Sequence, residues 1–235
     1  MKELILNKGD EPILDNDTYI LNIDKEIGNI VNVKGDCKLV IISNGYDIKI
    51  NFWINNDSSL VVNCIAKNAS SDINVKLWTN SKITYNYGLI SDKDSINNYD
   101  IIHCPTADSE NSYSEINNGC INLSNNKLHI KIDGRVYQGE TGVQCIQNSK
   151  IINYGNGDSK IIPNLIIDTN DIYASHSAYI GNIDKETKFY LESRGLTEEE
   201  INNLFVKSII LGKMELDEEA SLFNEKIKEW WWYYE

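Results

Sequence analysis

"SLVVNCIAKNASSDINVKLWTNSKITYNYGLI", residues 59–90, is the stretch on which the fold turns. Within it "SLVVNCIAK", "SDINVKLWT" and "SKITYNYGLI" alternate inward and outward residues or stay apolar for a few positions, as half-buried or buried strands do. The breaks are turn chemistry: "NNDSS" (55–59) and "NASSD" (68–72) here, and "NGDS" (156–159) further on. The same signals run from about Thr18 to Ile183. Strand centres near Val40, Val61 and Tyr85 recur every twenty-odd residues, roughly the spacing of stacked coils. No helical pattern separates the strands, which disfavours a doubly wound α/β fold. A β-solenoid therefore competes with a β-sandwich. Asparagine-rich turns favour the solenoid, because asparagine tolerates left-handed backbone and bonds to its neighbours at coil corners. Each coil stacks only on its neighbours, so both ends need covers.

After Asp184 the period changes to that of helices. Asp184 is placed to cap "KETKFYLESR", and Gly195 to end it. Thr197 and Glu200 form a capping box for the next helix, which sets Ile201, Leu204, Phe205, Ser208 and Ile209 on one face. A third helix, within "LDEEASLFNEKIKEWWWYYE", carries Phe223, Ile227, Trp230 and Trp231 on one stripe. Five consecutive aromatics, Trp230 to Tyr234, exceed what one helix face buries, so part of that tail is expected to meet a partner. The expected division is a β core over 1–183 and a helical region over 184–235 that caps the solenoid.

The 235 residues are enough for a sizeable core, and 41% hydrophobic with 24% charged residues is ordinary for a globular chain. A net charge of -13 argues against unspecific nucleic-acid binding and against anionic lipid. The N-terminus does not read as a signal peptide, its apolar run being broken by Lys8, Asp10 and Glu11. Cys37, Cys64, Cys104, Cys120 and Cys145 are scattered without a CxxC pair, as reduced cysteines in a cytoplasmic protein would be. There is no Walker P-loop, GxSxG or HExxH, so a non-catalytic role is expected.

The most specific signal lies at 163–200, "PNLIIDTNDIYASHSAYIGNIDKETKFYLESRGLTEEE". A P-x-L-x-I strand leads to an S-H segment, a G-x-I-D turn and an F-Y-L-x-S-R-G-L helix pair. This resembles the C-terminal motif of the SufB/SufD family of iron–sulfur cluster assembly proteins, through Pro163, Leu165, Ile167, Ser175, His176, Ala178, Gly181, Ile183, Asp184 and Phe189 to Leu196. "DIIHCPTADSENS" and the pair Gln147–Asn148 extend the similarity more weakly, over roughly the last 135 residues.

The resemblance implies a right-handed parallel β-helix followed by helices. Family members usually add an N-terminal helical domain, so this chain would be a minimal version. It also implies pairing through the β-helices, with a SufB-like protein or a second copy, and docking of a SufC-like ABC ATPase on the C-terminal helices. Phe189, Tyr190, Leu191, Arg194, Leu204, Phe205 and Ile209 match that docking region. His176 takes the position of a family histidine near the subunit interface, where a neutral imidazole suits iron. The plainer reading is a histidine hydrogen-bonded across the β stack.

The chain departs from the family where soft or anionic ligands are expected. Gly157 stands at a SufB-type scaffold cysteine, Ala174 at a SufD-type cysteine, and Ser175 and Ser177 at glutamates that flank the histidine in SufB. Clusters want thiolates, and Cys145 is the nearest in sequence, with Cys120 and Cys104 as further candidates. The expectation is a SufD-like structural partner that meets iron or a cluster only transiently and holds no intrinsic cofactor. The rivals are a β-solenoid adaptor without iron and a β-helix enzyme acting on polysaccharide.

Overall fold

The computed structural model describes residues 1–103, 110–183 and 185–231. In chain order the strands are β1 (Lys2–Glu3), β2 (Ile13–Asp15), β3 (Thr18–Ile23), β4 (Asn29–Lys34), β5 (Asp36–Asn44), β6 (Ile48–Ile54), β7 (Ser59–Lys67) and β8 (Ser71–Leu77). They continue with β9 (Lys82–Ser91), β10 (Ser95–His103), β11 (Tyr113–Asn122), β12 (Lys127–Val136), β13 (Val143–Asn153), β14 (Asp158–Ile167) and β15 (Ile172–Gly181). Three helices follow: α1 (Lys185–Ser193), α2 (Glu198–Ile210) and α3 (Ala220–Trp231).

Odd-numbered strands form an eight-stranded sheet and even-numbered strands a seven-stranded one, each in sequence order. Every pairing is parallel, and each strand bonds to those two before and two after it. This is a parallel β-helix-like architecture in which one strand of each sheet makes a rung, and it excludes a sandwich of antiparallel sheets. Equivalent positions are 23 residues apart between β7 and β9, and 31 between β9 and β11 and between β11 and β13.

The alternation within each strand explains why this sequence folds so. Leu39, Val62, Ile83 and Ile116 from one sheet meet Val31, Ile50, Phe52, Ile73 and Ile130 from the other in one buried cluster. Each such side chain contributes about 1.5–3 kcal/mol on burial. The corners use the predicted chemistry: Asn16, Asn68, Asn80 and Asn111 have φ between 42° and 58°, and Asn111 Nδ2 donates to Asn80 Oδ1 at the next corner, 3.3 Å away.

Among the described residues, α2 and α3 pack along the larger sheet and not over an end of the stack. A second apolar cluster joins Val40, Ile42, Ile65, Ile90, Ile121 and Ile152, on the outer side of the larger sheet, to Val206, Ile209, Phe223, Ile227, Trp230 and Trp231. α2 and α3 thus lie along the flank of the sheet, because its outer face carries a line of β-branched residues matching their stripes. The predicted stripe of α3 is buried in full. That of α2 is corrected: Ile201, Val206, Ile209 and Ile210 face inward, whereas Leu204 and Ser208 face solvent. Trp230 and Trp231 are buried within the chain, so they are not the free partner surface expected of the tail. Residues 232–235 lie outside the described residues, as do Asp184 and Cys104. No helix among the described residues is long and apolar enough to cross a membrane.

Candidate functional site

The two ends of the stack differ. At the first rung Leu6 is buried in the interior cluster with Leu4 against it. At the last, β14 and β15 are the terminal strands of their sheets, and Tyr173, Tyr179, Ile180 and Ile166 are exposed. A terminal parallel strand presents unpaired backbone groups along its free edge. Pro163 sits on this rung, where a missing N–H costs least. The connection from β14 to β15 is tied to the rung below: Thr169 Oγ1 donates to the Glu140 carbonyl at 2.8 Å, and the Gly142 amide donates to Asp171 Oδ2 at 3.1 Å.

His176 lies on this open rung, in register with Gln147 on β13, while Cys145 pairs with Ala174. In-register parallel neighbours project to the same side, so Cys145, Gln147 and His176 share the interior side of the stack. Cys145 and Gln147 are buried and His176 is exposed. Strand geometry puts the Cα atoms of Cys145 and His176 about 8 Å apart. Across the interior, Gly134 makes room for both buried groups: a Cβ there would lie 2.7 Å from Cys145 Sγ and 2.9 Å from Gln147 Nε2. Burial pushes the Cys145 thiol up, with hydrogen bonds to Ser114 and Gln147 working against it. Gln147 Nε2 donates to the Asn164 carbonyl at 3.1 Å, leaving Oε1 buried without a partner.

Below this pair lies a group that the sequence reading did not single out as a site. His103 is fully buried, its Nδ1 2.8 Å from Ser112 Oγ and its Nε2 2.7 Å from Ser114 Oγ. Burial holds its imidazole down at about 3, so it is neutral at ordinary pH. The only signal was the "DIIHC" segment, and alternation alone would have placed this histidine as a core residue. Cys120 lies on β11, two strands in from β15 and in register with Ile151, so it is not brought beside His176.

Among the described residues no group of three or more His, Cys, Asp or Glu stands close enough together to hold a metal. Gly157 explains one missing ligand, since a Cβ there would come within 2.9 Å of Asn122 Cγ and 3.0 Å of the Ser124 carbonyl oxygen. A cysteine at 157 would displace that corner.

The helical residues divide. Phe189, 72% exposed, Tyr190 and Leu204 are apolar side chains open to solvent. Arg194 lies over the Tyr190 ring at 5.1 Å, and the Lys188–Glu198 ion pair ties α1 to α2. Leu191 and Phe205 are half-buried. Ile209 is corrected: it is buried against the sheet and cannot serve as a docking residue in this arrangement. The capping box of Thr197 and Glu200 and the left-handed Gly195 are as predicted.

Residues 144–209, which run from β13 through the open rung to α2, match the SufBD core domain of the SUF system for FeS cluster assembly. Over this segment the chain is similar to the SufB/SufD family. It is 32% identical over 76 residues to the iron–sulfur cluster assembly protein SufD of Bacillus subtilis (strain 168), an alignment covering 31% of this chain and 17% of that protein. The chain thus spans under a fifth of its SufD relative. The matched family segment is shorter than the 135 residues expected: it leaves out α3 and the strands before β13.

Proposed function

We propose that this chain is a SufD-like, non-catalytic subunit of an iron–sulfur cluster assembly complex. Its strands up to 183 would form a right-handed β-helix that pairs through the open rung with a SufB-like chain or a second copy. Residues 184–235 would form a helical arm that receives a SufC-like ABC ATPase in the cytoplasm. The observation that carries this reading is a coincidence: the segment matched to the SufBD core contains both the open rung and the exposed Phe189, Tyr190 and Leu204.

The physics of the two surfaces fits the two roles. A strand edge flanked by exposed Tyr179 and Ile180 offers backbone hydrogen bonds and apolar burial to another strand. The α1–α2 face offers an apolar patch on rigid helices, able to carry force from a moving partner. A nascent cluster or iron is cargo in this scheme. His176 and Cys145 supply one imidazole and one thiol, and the paired chain supplies the remaining ligands across the rung. Burial of the Cys145 thiol keeps it protonated until that rung opens.

Co-expression with a SufC-type ATPase tests the proposal. Co-purification strengthened by nucleotide is expected, and separate elution with and without nucleotide would overturn it.

A further inference from the structure

On the outer side of the larger sheet, Asn63, Asn86, Asn117 and Asn148 occupy one register column from β7 to β13. Asn86 Nδ2 donates to Asn63 Oδ1 at 3.0 Å, Asn117 Nδ2 to Asn86 Oδ1 at 2.9 Å, and Asn148 Nδ2 to Asn117 Oδ1 at 2.9 Å. The column begins under the helical arm, where Asn63 Nδ2 donates to Glu219 Oε1 at 3.0 Å and to the Glu215 carbonyl at 3.1 Å. It ends beside Ser177 on β15, the register partner of Asn148 and the chain neighbour of His176.

We infer that Glu219 is a positioning residue whose carboxylate sets the hydrogen-bond direction of this whole column, so that seating of the helical arm is felt at the terminal strand beside His176.

The direction of the column follows from what each group can donate. An ionised carboxylate only accepts, whereas a primary amide has a donating and an accepting end. Glu219 is 1% exposed and meets Lys38 Nζ at 2.8 Å. Burial opposes its ionisation, but the bonds from Lys38 and Asn63 outweigh that and hold its carboxyl below the usual range. Asn63 must therefore turn its amide nitrogen toward the arm, which leaves Oδ1 for Asn86. The same choice passes from strand to strand, and Asn148 is left presenting Oδ1 toward the open rung. Reversal would set two acceptors face to face at Glu219, in a site where the loss is not made good by water.

The seat of the arm has a second contact of the same kind. Gly88 and Gly119 are register partners, and a Cβ on either would collide with α2: Gly119 with the Ile209 carbonyl oxygen, Gly88 with Ile210. The end of α2 thus rests on bare backbone two residues along each strand from Asn86 and Asn117, on the same face. An arm that lifts breaks this contact and takes Glu219 with it, which frees the column to reorient over about 14 Å of sheet.

The functional consequence rests on the proposed roles of arm and rung, but the test uses the chain by itself and needs neither partner. In ¹⁵N-labelled protein, Glu219→Gln, which can donate as well as accept, is expected to shift or split the side-chain amide signals of all four asparagines, Asn148 included. The exposed neighbour Glu218→Gln is expected to leave them in place. A change confined to Asn63 overturns the inference. If Glu219→Gln does not fold, Asn63→Ser breaks the link between Glu219 and the column: signals moving at Asn86, Asn117 and Asn148 support the inference, and a change at Asn86 alone overturns it. Failure to bind an ATPase would count against the proposed function and leave these signals as they are.

Discussion

Gln147 and His176 are register partners on the last two strands of the larger sheet, one buried with an unpaired carbonyl oxygen, the other open to solvent. A buried acceptor without a donor costs roughly 1–3 kcal/mol. The imidazole N–H of the neighbouring rung is a donor on the same side of the stack, and covering the rung would bring the two into one enclosed site.

His176 should therefore matter to cargo and little to folding. His176→Ala is expected to change stability by less than about 0.5 kcal/mol, as exposed positions do, while weakening the charge-transfer absorption of anaerobically reconstituted protein. Cys145→Ser, which buries a hydroxyl in place of a thiol, should lower both. Thermal melts and absorption spectra of the two variants check this, and an unchanged spectrum for His176→Ala would contradict it.

The glycine seat of α2 predicts a second result. Gly119→Ala places a methyl against the Ile209 carbonyl oxygen and should cost about 1–3 kcal/mol, the usual penalty of overpacking. Because Trp230 and Trp231 share the cluster of Ile209, their fluorescence should shift to the red as the arm lifts. Gly28→Ala has open space around it and should leave the fluorescence unchanged.

Acid should act through His103. Its folded value near 3 lies below the ordinary 6.5, so between these values the unfolded chain binds more protons. Stability then falls as pH drops from about 6.5 toward 3, by up to about 1.4 kcal/mol per unit. Denaturant titrations across that range should show the slope, and His103→Gln should remove it.

Glu140 should act in the opposite sense. Burial raises its carboxyl from 4.5 to about 7, against a hydrogen bond with the Tyr137 backbone. The folded state holds the extra proton, so its contribution is full below about 4.5 and is lost as pH rises through about 7. Glu140→Gln is expected to raise the melting temperature at pH 8 and to have little effect at pH 4.5.

Much of the architecture was legible because it is local. The strands of 59–90, the asparagine corners and the capping box of Thr197 each follow from residues close in sequence. The buried stripe of α2 was not, since Ile201, Val206, Ile209 and Ile210 are chosen by the sheet they meet. Nor was the place of the arm, because apolar residues on both sides of β5 and β7 read equally well as strands covered by anything. The asparagine column was hidden for a different reason. Asn63, Asn86, Asn117 and Asn148 look like turn residues, and only the rung spacing brings them into line. His176 was found through its motif, whereas His103 lay in a segment whose resemblance was weak.

The most direct test of the account is the affinity of the chain for a SufC-type ATPase, measured by calorimetry with and without ATP, for the parent and for a Phe189→Glu/Leu204→Glu variant. Both residues are exposed, so the variant should keep its melting temperature. Binding by the parent and at least a tenfold loss in the variant are expected. Equal affinities, or no binding by the parent in either nucleotide state, would contradict this.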